Sequence, residues 1–302
     1  MLRAFEAFGY KVHLVDGYSA ERRAKFRQLA RSLESGVHYD FCYAKNAPSP
    51  YALTDPDHIP RSPLLDRNFF RTMRAHGIPI GVFYRDIFWR FPVFKREHSL
   101  AIRLLSLPFF RHDLQTLKRG CVDALFLPSS SMAQHFPRGF VPPPIVPLPP
   151  GASTDLNSET THTFRKKAVY IGGLLPPVYQ LQPMFECMRK APEWTLTVIC
   201  REDERRQTDQ LYPWTSCPNV SIVHASGEEA QAILAEADVF LWLHEPEPYL
   251  DFARPVKIFE AMVKLSIKSV RWLRPFGEGC FVIMRRTKSL GFLLECKRLV
   301  FR

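Results

Sequence analysis

The chain has 302 residues, of which 46% are hydrophobic and 13% aromatic, so it is long enough for two domains and too apolar for a disordered protein. No apolar run reaches the roughly 18 residues of a membrane span, and residues 1–15 lack the pattern of a secretory signal, so we expect a cytoplasmic protein. The seven cysteines form no C-x-x-C pair and the ten histidines no H-x-x-x-H or H-E-x-x-H pattern, which predicts reduced thiols and no metal.

The net charge of +11 is concentrated at one end of the chain. Residues 263–302 hold ten Lys and Arg against two Glu, which leaves +3 for the first 262 residues. This segment holds one proline, Pro275, of the 26 in the chain. The break in composition predicts an atypical basic tail over 263–302.

Apolar runs alternate with helical patterns in the first part of the chain, which predicts βα units around a parallel sheet. The predicted strands cover residues 10–15, 39–43, 78–84 and 124–127, and the predicted helices cover 20–33, 65–76 and 95–118. We assign residues 1–140 to a first Rossmann-like domain.

The stretch V-P-P-P-I-V-P-L-P-P-G, residues 141–151, is too rich in proline for a helix and predicts an extended linker. The βα alternation then resumes over a second domain, residues 152–262. Its predicted strands cover 168–171, 195–200, 220–223 and 239–243, and its predicted helices 181–189, 228–236 and 256–262. The sequence thus predicts two doubly wound α/β domains.

Two segments of the second domain are candidates for ligand binding. A-V-Y-I-G-G-L ends a buried-type strand in Gly172 and Gly173, where backbone amides can approach a phosphate, although a plain tight turn has the same pattern. Further on, R-P-V-K-I-F-E-A-M predicts a helix that starts near Pro255 and carries Lys257 and Glu260 on one face. These two side chains can face one ligand or form an exposed ion pair.

Residues 149–262, with P-P-G, Y-I-G-G-L, V-I-C-R and R-P-V-K-I-F-E-A-M in this order, resemble the C-terminal domain of GT-B glycosyltransferases of the family 4 type. The resemblance implies that a nucleotide diphosphate sugar is the donor substrate and that no cofactor is needed. It implies that Glu260 binds the ribose and that Gly172 and Gly173 approach the diphosphate. Lys257 and Arg201 become candidate phosphate-binding cations.

The family often has a second glutamate before the helix glutamate, and here Phe252 stands at that place. Asp251 or Glu247 can substitute for it as the carboxylate that contacts the sugar. In the first domain, G-V-F-Y-R-D resembles the family segment that carries a His-Asp pair, with Arg85 in place of the His and Asp86 matching. Arg85 and Asp86 are therefore candidate catalytic residues, and a capping Asp beside a solvent-facing Arg is the alternative.

Two further segments of the first domain have competing interpretations. T-D-P-D-H-I-P contains the D-x-D spacing of a metal site at Asp55 and Asp57, but its prolines favour a turn. Residues 88–110 interleave aromatic and aliphatic side chains with basic ones, which suits an anionic membrane and a lipid-linked or sugar acceptor. A core helix with a solvated face fits the second segment equally well.

Against the family pattern, the chain starts at the end of the first helix and changes after residue 262, so we expect a GT-B fold that is incomplete at both ends. The predicted function is sugar transfer to a hydroxyl in polysaccharide or glycolipid synthesis, with an inactive truncated or frameshifted remnant as the alternative. Nucleic-acid binding through the basic tail is the weakest interpretation, because the tail contains no zinc finger and no regular basic helix. We expect no specific nucleic-acid partner.

Overall fold

The computed structural model describes residues 2–151, 163–212, 214–242, 249–250, 256–265, 271–272 and 281–284. The chain divides into two compact units, Met1–Arg90 with His98–Leu148, and Phe91–Glu97 with Pro149–Arg302. Each unit has parallel strands connected by helices. The predicted fold class of two α/β units is confirmed.

The first unit is built on a sheet of four parallel strands in the order β1-β2-β3-β4. Since each strand pairs with the next one along the chain, β1 and β4 form the two edges. The strands are β1 (Cys42–Lys45), β2 (Ile80–Phe83), β3 (Ala124–Leu127) and β4 (Ile145–Pro147). The helices of this unit are α1 (Leu2–Ala7), α2 (Ser19–Glu34), α3 (Leu65–Ala75) and α5 (Leu100–Leu117), while α4 (Pro92–Glu97) belongs to the second unit.

Three features of this half differ from the prediction. Residues 10–15 are not a strand: they form no ladder with a described strand, and Tyr10, Val12 and Leu14 are exposed. The predicted helix over 95–118 is interrupted, because Ser99 accepts a hydrogen bond from the Ile102 amide and so caps a new helix, α5. Within the predicted linker 141–151, residues 145–147 form β4, and the two units divide after residue 148.

The second unit has a sheet of six strands in the order β7-β6-β5-β8-β10-β9. The first four are parallel, and β10 runs antiparallel to β8 and β9. The chain proceeds outward from β5 to β6 and β7, then crosses to the other side of β5 to form β8. The order of the strands therefore reverses at β5. The strands are β5 (Lys167–Ile171), β6 (Thr195–Ile199), β7 (Val220–Val223), β8 (Val239–Trp242), β9 (Arg271–Trp272) and β10 (Phe281–Met284).

The helices of the second unit are α6 (Gln182–Lys190), α7 (Glu202–Gln207), α8 (Gly227–Glu236) and α9 (Val256–Lys264), together with α4. All four residues of β8 are buried, and in β5 all but Lys167 are buried. One buried carboxylate ties the sheet together: Asp238 is 1% exposed and accepts hydrogen bonds from the amides of Arg165 and Lys167 at 3.0 and 2.8 Å. It joins the start of β8 to the start of β5.

The basic tail predicted over 263–302 is partly integrated into the fold. Helix α9 ends at Lys264, and β9 and β10 belong to the second sheet, with Phe281 opposite Trp242. The run F-V-I-M is rich in strand-forming residues and lies beside the buried β8, which gives a physical reason for the pairing. The segment therefore contributes two strands to the second sheet, and its description as an atypical terminus stays a prediction.

A buried carboxylate also organises the first unit. Asp55 is 5% exposed and accepts hydrogen bonds from the Ser19 amide at 2.7 Å and the Ser19 hydroxyl at 2.5 Å. Ser19 is the first residue of α2, whose positive dipole end favours a negative charge. The hydrogen bonds from Ser19 lower the pKa of the Asp55 carboxyl below its ordinary value. Asp55 is therefore a structural group that fixes the turn at 55–57 against α2.

Because the pKa of Asp55 is lowered on folding, its ionised form stabilises the protein above the pKa of the unfolded chain, and this stability is lost as pH falls through the folded pKa. We expect Asp55→Asn to lower the melting temperature at pH 7, and the difference from the unsubstituted protein to narrow below about pH 4. Asp40→Asn, at an exposed carboxyl, is the control. Equal melting temperatures of the Asp55 variant and the unsubstituted protein at pH 7 would contradict this role.

Candidate functional site

Three predicted site residues lie at the carboxyl ends of the strands in the sheet of the second unit. Gly172 and Gly173 follow β5, and Arg201 comes shortly after β6. Since β5 and β6 are parallel neighbours, their carboxyl ends lie side by side. This is also the point where the strand order reverses, and in open α/β sheets the crevice at such a point is the usual place for a ligand.

Buried tyrosines hold the carbonyl groups of the loop after β5. The Tyr170 hydroxyl donates a hydrogen bond to the carbonyl of Gly173 at 2.7 Å, and the Tyr212 hydroxyl lies 2.8 Å from that of Leu174 and 3.0 Å from that of Tyr179. Burial raises the pKa of Tyr170 and that of Tyr212, so both hydroxyls keep their protons. The loop is therefore fixed by donors from inside its own unit.

The close packing of these rings explains the two glycines. A Cβ atom at Gly172 would lie 2.6 Å from the Tyr170 hydroxyl oxygen and 3.2 Å from the Trp242 ring, and one at Gly173 would lie 2.5 Å from the Tyr179 ring. Both positions therefore require a residue without a side chain for packing alone. The two glycines allow a close approach of backbone to ligand, but their presence does not require one.

The carboxylate of Glu204, in α7, binds a backbone amide of the same loop. Its Oε2 accepts a hydrogen bond from the Leu174 amide at 2.8 Å, and its Oε1 lies 3.3 Å from Nη1 of Arg201. The side chain of Glu204 is 12% exposed, whereas that of Arg201 is 80% exposed. Sequence reasoning missed Glu204, although its spacing of three residues from Arg201 at the start of a helix was a signal for this pair.

Helix α9 carries the predicted ribose ligand and its neighbouring cation. Nζ of Lys257 lies 2.9 Å from Oε2 of Glu260, and Nε2 of Gln231, on α8, donates to the same oxygen at 3.2 Å. The side chains of Lys257 and Glu260 are 42% and 23% exposed. The structure thus forms the ion pair that was the alternative interpretation, and a ribose hydroxyl would share this carboxylate with Lys257. Asp251, Glu247 and Phe252 lie outside the described residues.

In the first unit, Arg85 and Asp86 follow β2 at its carboxyl end. The Arg85 amide donates to Oδ1 of Asn46 at 2.6 Å, and its side chain is exposed. Oδ1 of Asp86 accepts a hydrogen bond from the Phe88 amide at 2.8 Å, at the start of a short 3₁₀ turn. This is the geometry of a capping Asp beside a solvent-facing Arg, and the catalytic role of the two residues stays a prediction.

The D-x-D spacing at Asp55 and Asp57 belongs to a turn, as the prolines indicated. Asp55 accepts hydrogen bonds from Ser19, and Asp57 forms a bidentate ion pair with Arg61. Within the described part of the chain, no three His, Cys, Asp or Glu side chains are grouped so that they could hold a metal ion. Among the same residues, no helix combines the length and the apolar character needed to cross a membrane.

A cavity with a volume of about 1140 Å³ lies in the first unit. It separates residues 10–17 from the edge strand β1, and its walls include Phe5, Tyr10, Phe41 and Tyr43. None of the predicted site residues lines it. Residues 10–15 do not pair with β1, so the edge of the sheet is open beside the cavity.

Comparison with known proteins gives low similarity throughout. No protein-family model and no curated protein matches the sequence. Among solved structures, Anabaena HepE in complex with UDP and glucose is 12% identical, over 87% of this chain and 68% of its own, with a TM-score of 0.49.

Two further solved structures are similar over much of the chain. Phytolacca americana UGT2, complexed with UDP-2-fluoro-glucose and pterostilbene, is 11% identical over 86% of this chain and 64% of its own, with a TM-score of 0.40. Neisseria meningitidis UDP-GlcNAc 2-epimerase bound to UDP-GlcNAc is 12% identical over 79% and 64%, with a TM-score of 0.37. At these values the likeness assigns no activity to this chain, and the resemblance to family 4 stays a prediction.

The packing around the loop after β5 predicts the effect of a methyl group at Gly173. We expect Gly173→Ala to lower the free energy of unfolding by about 1–3 kcal/mol, because the Tyr179 ring has to move. The same substitution in a Tyr179→Ala background should cost about 1 kcal/mol less. Denaturant unfolding of the two single variants and the double variant measures this, with Gly151→Ala as the control, since a Cβ there meets nothing within 4 Å. Additive effects of the two substitutions would exclude the contact.

Proposed function

We propose that the chain is a glycosyltransferase that uses a nucleotide diphosphate sugar as donor and a hydroxyl group as acceptor. The observation that carries the proposal is the placement of the glycine loop and Arg201 at the carboxyl edge of the second sheet, where the strand order reverses at β5. An anionic nucleotide fits a crevice of this kind, because the Leu174 amide and the Arg201 guanidinium lie close together there.

Each predicted residue has a distinct role in this proposal. The loop at Gly172 and Gly173 approaches the diphosphate, and Arg201 supplies an exposed cation for it. Glu260, which is only partly exposed, accepts the ribose hydroxyls, and Lys257 neutralises the charge of the neighbouring phosphate. No cofactor is required, since the donor carries its own leaving group.

In the first unit, Asp86 is the proposed acid–base group and Arg85 a proposed cation for the leaving group. Both follow β2 at its carboxyl end. A carboxylate can take a proton from an acceptor hydroxyl, and an exposed guanidinium can offset negative charge that develops on the leaving group. The acceptor class is a sugar or a lipid-linked sugar, as in the assembly of polysaccharides or glycolipids.

The first test of this proposal is donor binding. We expect weak binding of UDP-glucose or GDP-mannose, weakened at least about tenfold by Glu260→Gln, which keeps the shape of the side chain and removes its charge. Glu193→Gln is the matched control, because Glu193 lies just before β6, at the amino ends of the strands and so at the opposite end of the sheet from the proposed site. Isothermal calorimetry on the folded proteins measures the affinities. Equal affinities for the Glu260 and Glu193 variants would remove Glu260 from the site.

Turnover of the bound donor decides between an enzyme and an inactive remnant. Release of UDP or GDP in the presence of a hydroxyl acceptor, lost on substitution of Asp86 by Asn, supports the transferase. Donor binding without turnover for any acceptor supports the remnant.

An exposed apolar surface on α5 supports an acceptor held at a membrane. Leu100, Ile102, Leu104 and Leu105 are 62%, 50%, 66% and 46% exposed, and the buried residues of the helix begin only at Ser106. Arg103 and the exposed Arg111 add positive charge to the same helix. An apolar helix end with basic residues can insert at the surface of an anionic bilayer. We propose peripheral binding of this surface to anionic lipid.

Vesicle sedimentation tests the membrane contact. We expect the chain to bind vesicles that contain an anionic phospholipid, and the double variant Leu100→Glu, Leu104→Glu to bind at least about tenfold more weakly, because two apolar side chains are lost from the interface. Leu211→Glu, at an exposed leucine of the second unit, is the control. Binding that is unaffected by the double substitution would show that another surface, such as the basic tail, attaches the protein.

A further inference from the structure

The loop after β5 already binds a negatively charged group of the protein itself, the carboxylate of Glu204. The Glu204 carboxylate receives one hydrogen bond from the Leu174 amide at 2.8 Å and one from the Arg201 guanidinium at 3.3 Å. A backbone amide and a guanidinium are the groups with which proteins bind phosphate oxygens. Glu204 therefore stands where an oxygen of a phosphate ligand would be bound.

The amide of Leu174 points to the same place whether or not Glu204 is there. The carbonyl of Leu174 is held by the Tyr212 hydroxyl at 2.8 Å, and the preceding carbonyl, of Gly173, by the Tyr170 hydroxyl at 2.7 Å. Tyr212 and Tyr170 are 4% and 0% exposed, and these two hydrogen bonds go to carbonyl groups of the loop itself. The loop is therefore preorganised by its carbonyl groups, and its amide is available to any acceptor that reaches it.

Glu204 and an external oxyanion cannot both use this amide. The two negative charges would lie within hydrogen-bond distance of one donor, and like charges at such a separation repel strongly. Arg201 can satisfy either anion, because its side chain is 80% exposed and free to reorient. Binding of a phosphate at Leu174 thus requires the Glu204 side chain to leave.

We propose that Glu204 is an internal competitor for the diphosphate subsite and sets its affinity for phosphate-containing ligands. In the structure the carboxylate closes the subsite at Leu174, and a diphosphate opens it by displacing the carboxylate and taking over the hydrogen bond from Arg201. This inference rests on the proposed function for the identity of the ligand, a nucleoside diphosphate, but not for the competition itself.

Inorganic pyrophosphate is the probe for the competition, because it lacks the nucleoside that Glu260 would bind. We expect Glu204→Gln to raise the affinity for pyrophosphate at least about fivefold in calorimetry, since a neutral amide holds the Leu174 amide and Arg201 more weakly than a carboxylate does. Glu204→Ala, which removes the competing oxygens altogether, should raise it at least as much. Adding Arg201→Ala to the Glu204→Gln variant should reverse the gain.

Glu202→Gln is the matched control, because it makes the same change of charge on the same helix at a carboxylate that pairs with Arg206 instead. The melting temperature of each variant establishes that it is folded before its affinity is compared. Unchanged or weaker pyrophosphate binding in both folded Glu204 variants would overturn the proposal. An equal gain in Glu202→Gln would overturn it as well, since the effect would then be one of net charge.

The outcomes separate this inference from the proposed function. If Glu204→Gln strengthens pyrophosphate binding while no nucleotide sugar binds in a way that depends on Glu260, the competition stands and the transferase proposal fails. If a nucleotide sugar binds through Glu260 but the Glu204 variants behave as the unsubstituted protein does, the transferase proposal stands and the competition is refuted.

Discussion

The second unit depends on the pairing of β5 with a parallel strand on each side. Strand β5 forms ladders with β6 and with β8, and the Asp238 carboxylate at the start of β8 accepts the amides of Arg165 and Lys167. These contacts fix the amino end of the sheet, so the chain leaves at the carboxyl end in a defined place. The positions of the glycine loop and of Arg201 both follow from this arrangement.

Carboxylates that bind backbone amides recur at the critical joints of both units. Asp55 holds the start of α2, Asp238 joins β5 to β8, and Glu204 holds the loop after β5. In each case a charged acceptor satisfies an amide that would be costly to bury alone. Asp55 and Asp238 are 5% and 1% exposed, which suits permanent structural contacts. Glu204 is different, because its other partner, Arg201, is largely exposed and can bind another anion.

One edge of the first sheet is formed by β1, which among the described residues pairs only with β2. Exposed apolar side chains collect beside that edge, among them Tyr10, Val12 and Leu14. An open edge of this kind is a site for association with other chains, since its unpaired backbone groups can pair with another strand.

The sequence by itself determined the two α/β units, the placement of most helices and strands, and the segments that could bind a nucleotide. Those features follow from local patterns: apolar runs for buried parallel strands, glycines after β5, and the Lys257–Glu260 spacing on a helix. Only the tertiary structure decided what contacts the predicted residues. Whether residues 10–15 become a strand depends on a neighbouring strand, and whether 281–284 join the sheet depends on the free edge of β8.

The pairing of Glu204 with Leu174 was also beyond the sequence, because it joins residues 30 positions apart across two neighbouring strands. The same holds for the hydrogen bond between the Tyr212 hydroxyl and the Leu174 carbonyl, which joins residues 38 positions apart. A local pattern carries the propensity of a segment, whereas a contact between distant segments depends on the register of the whole sheet. For this reason the sequence indicated where a phosphate could bind, and the fold revealed the carboxylate that already holds that place.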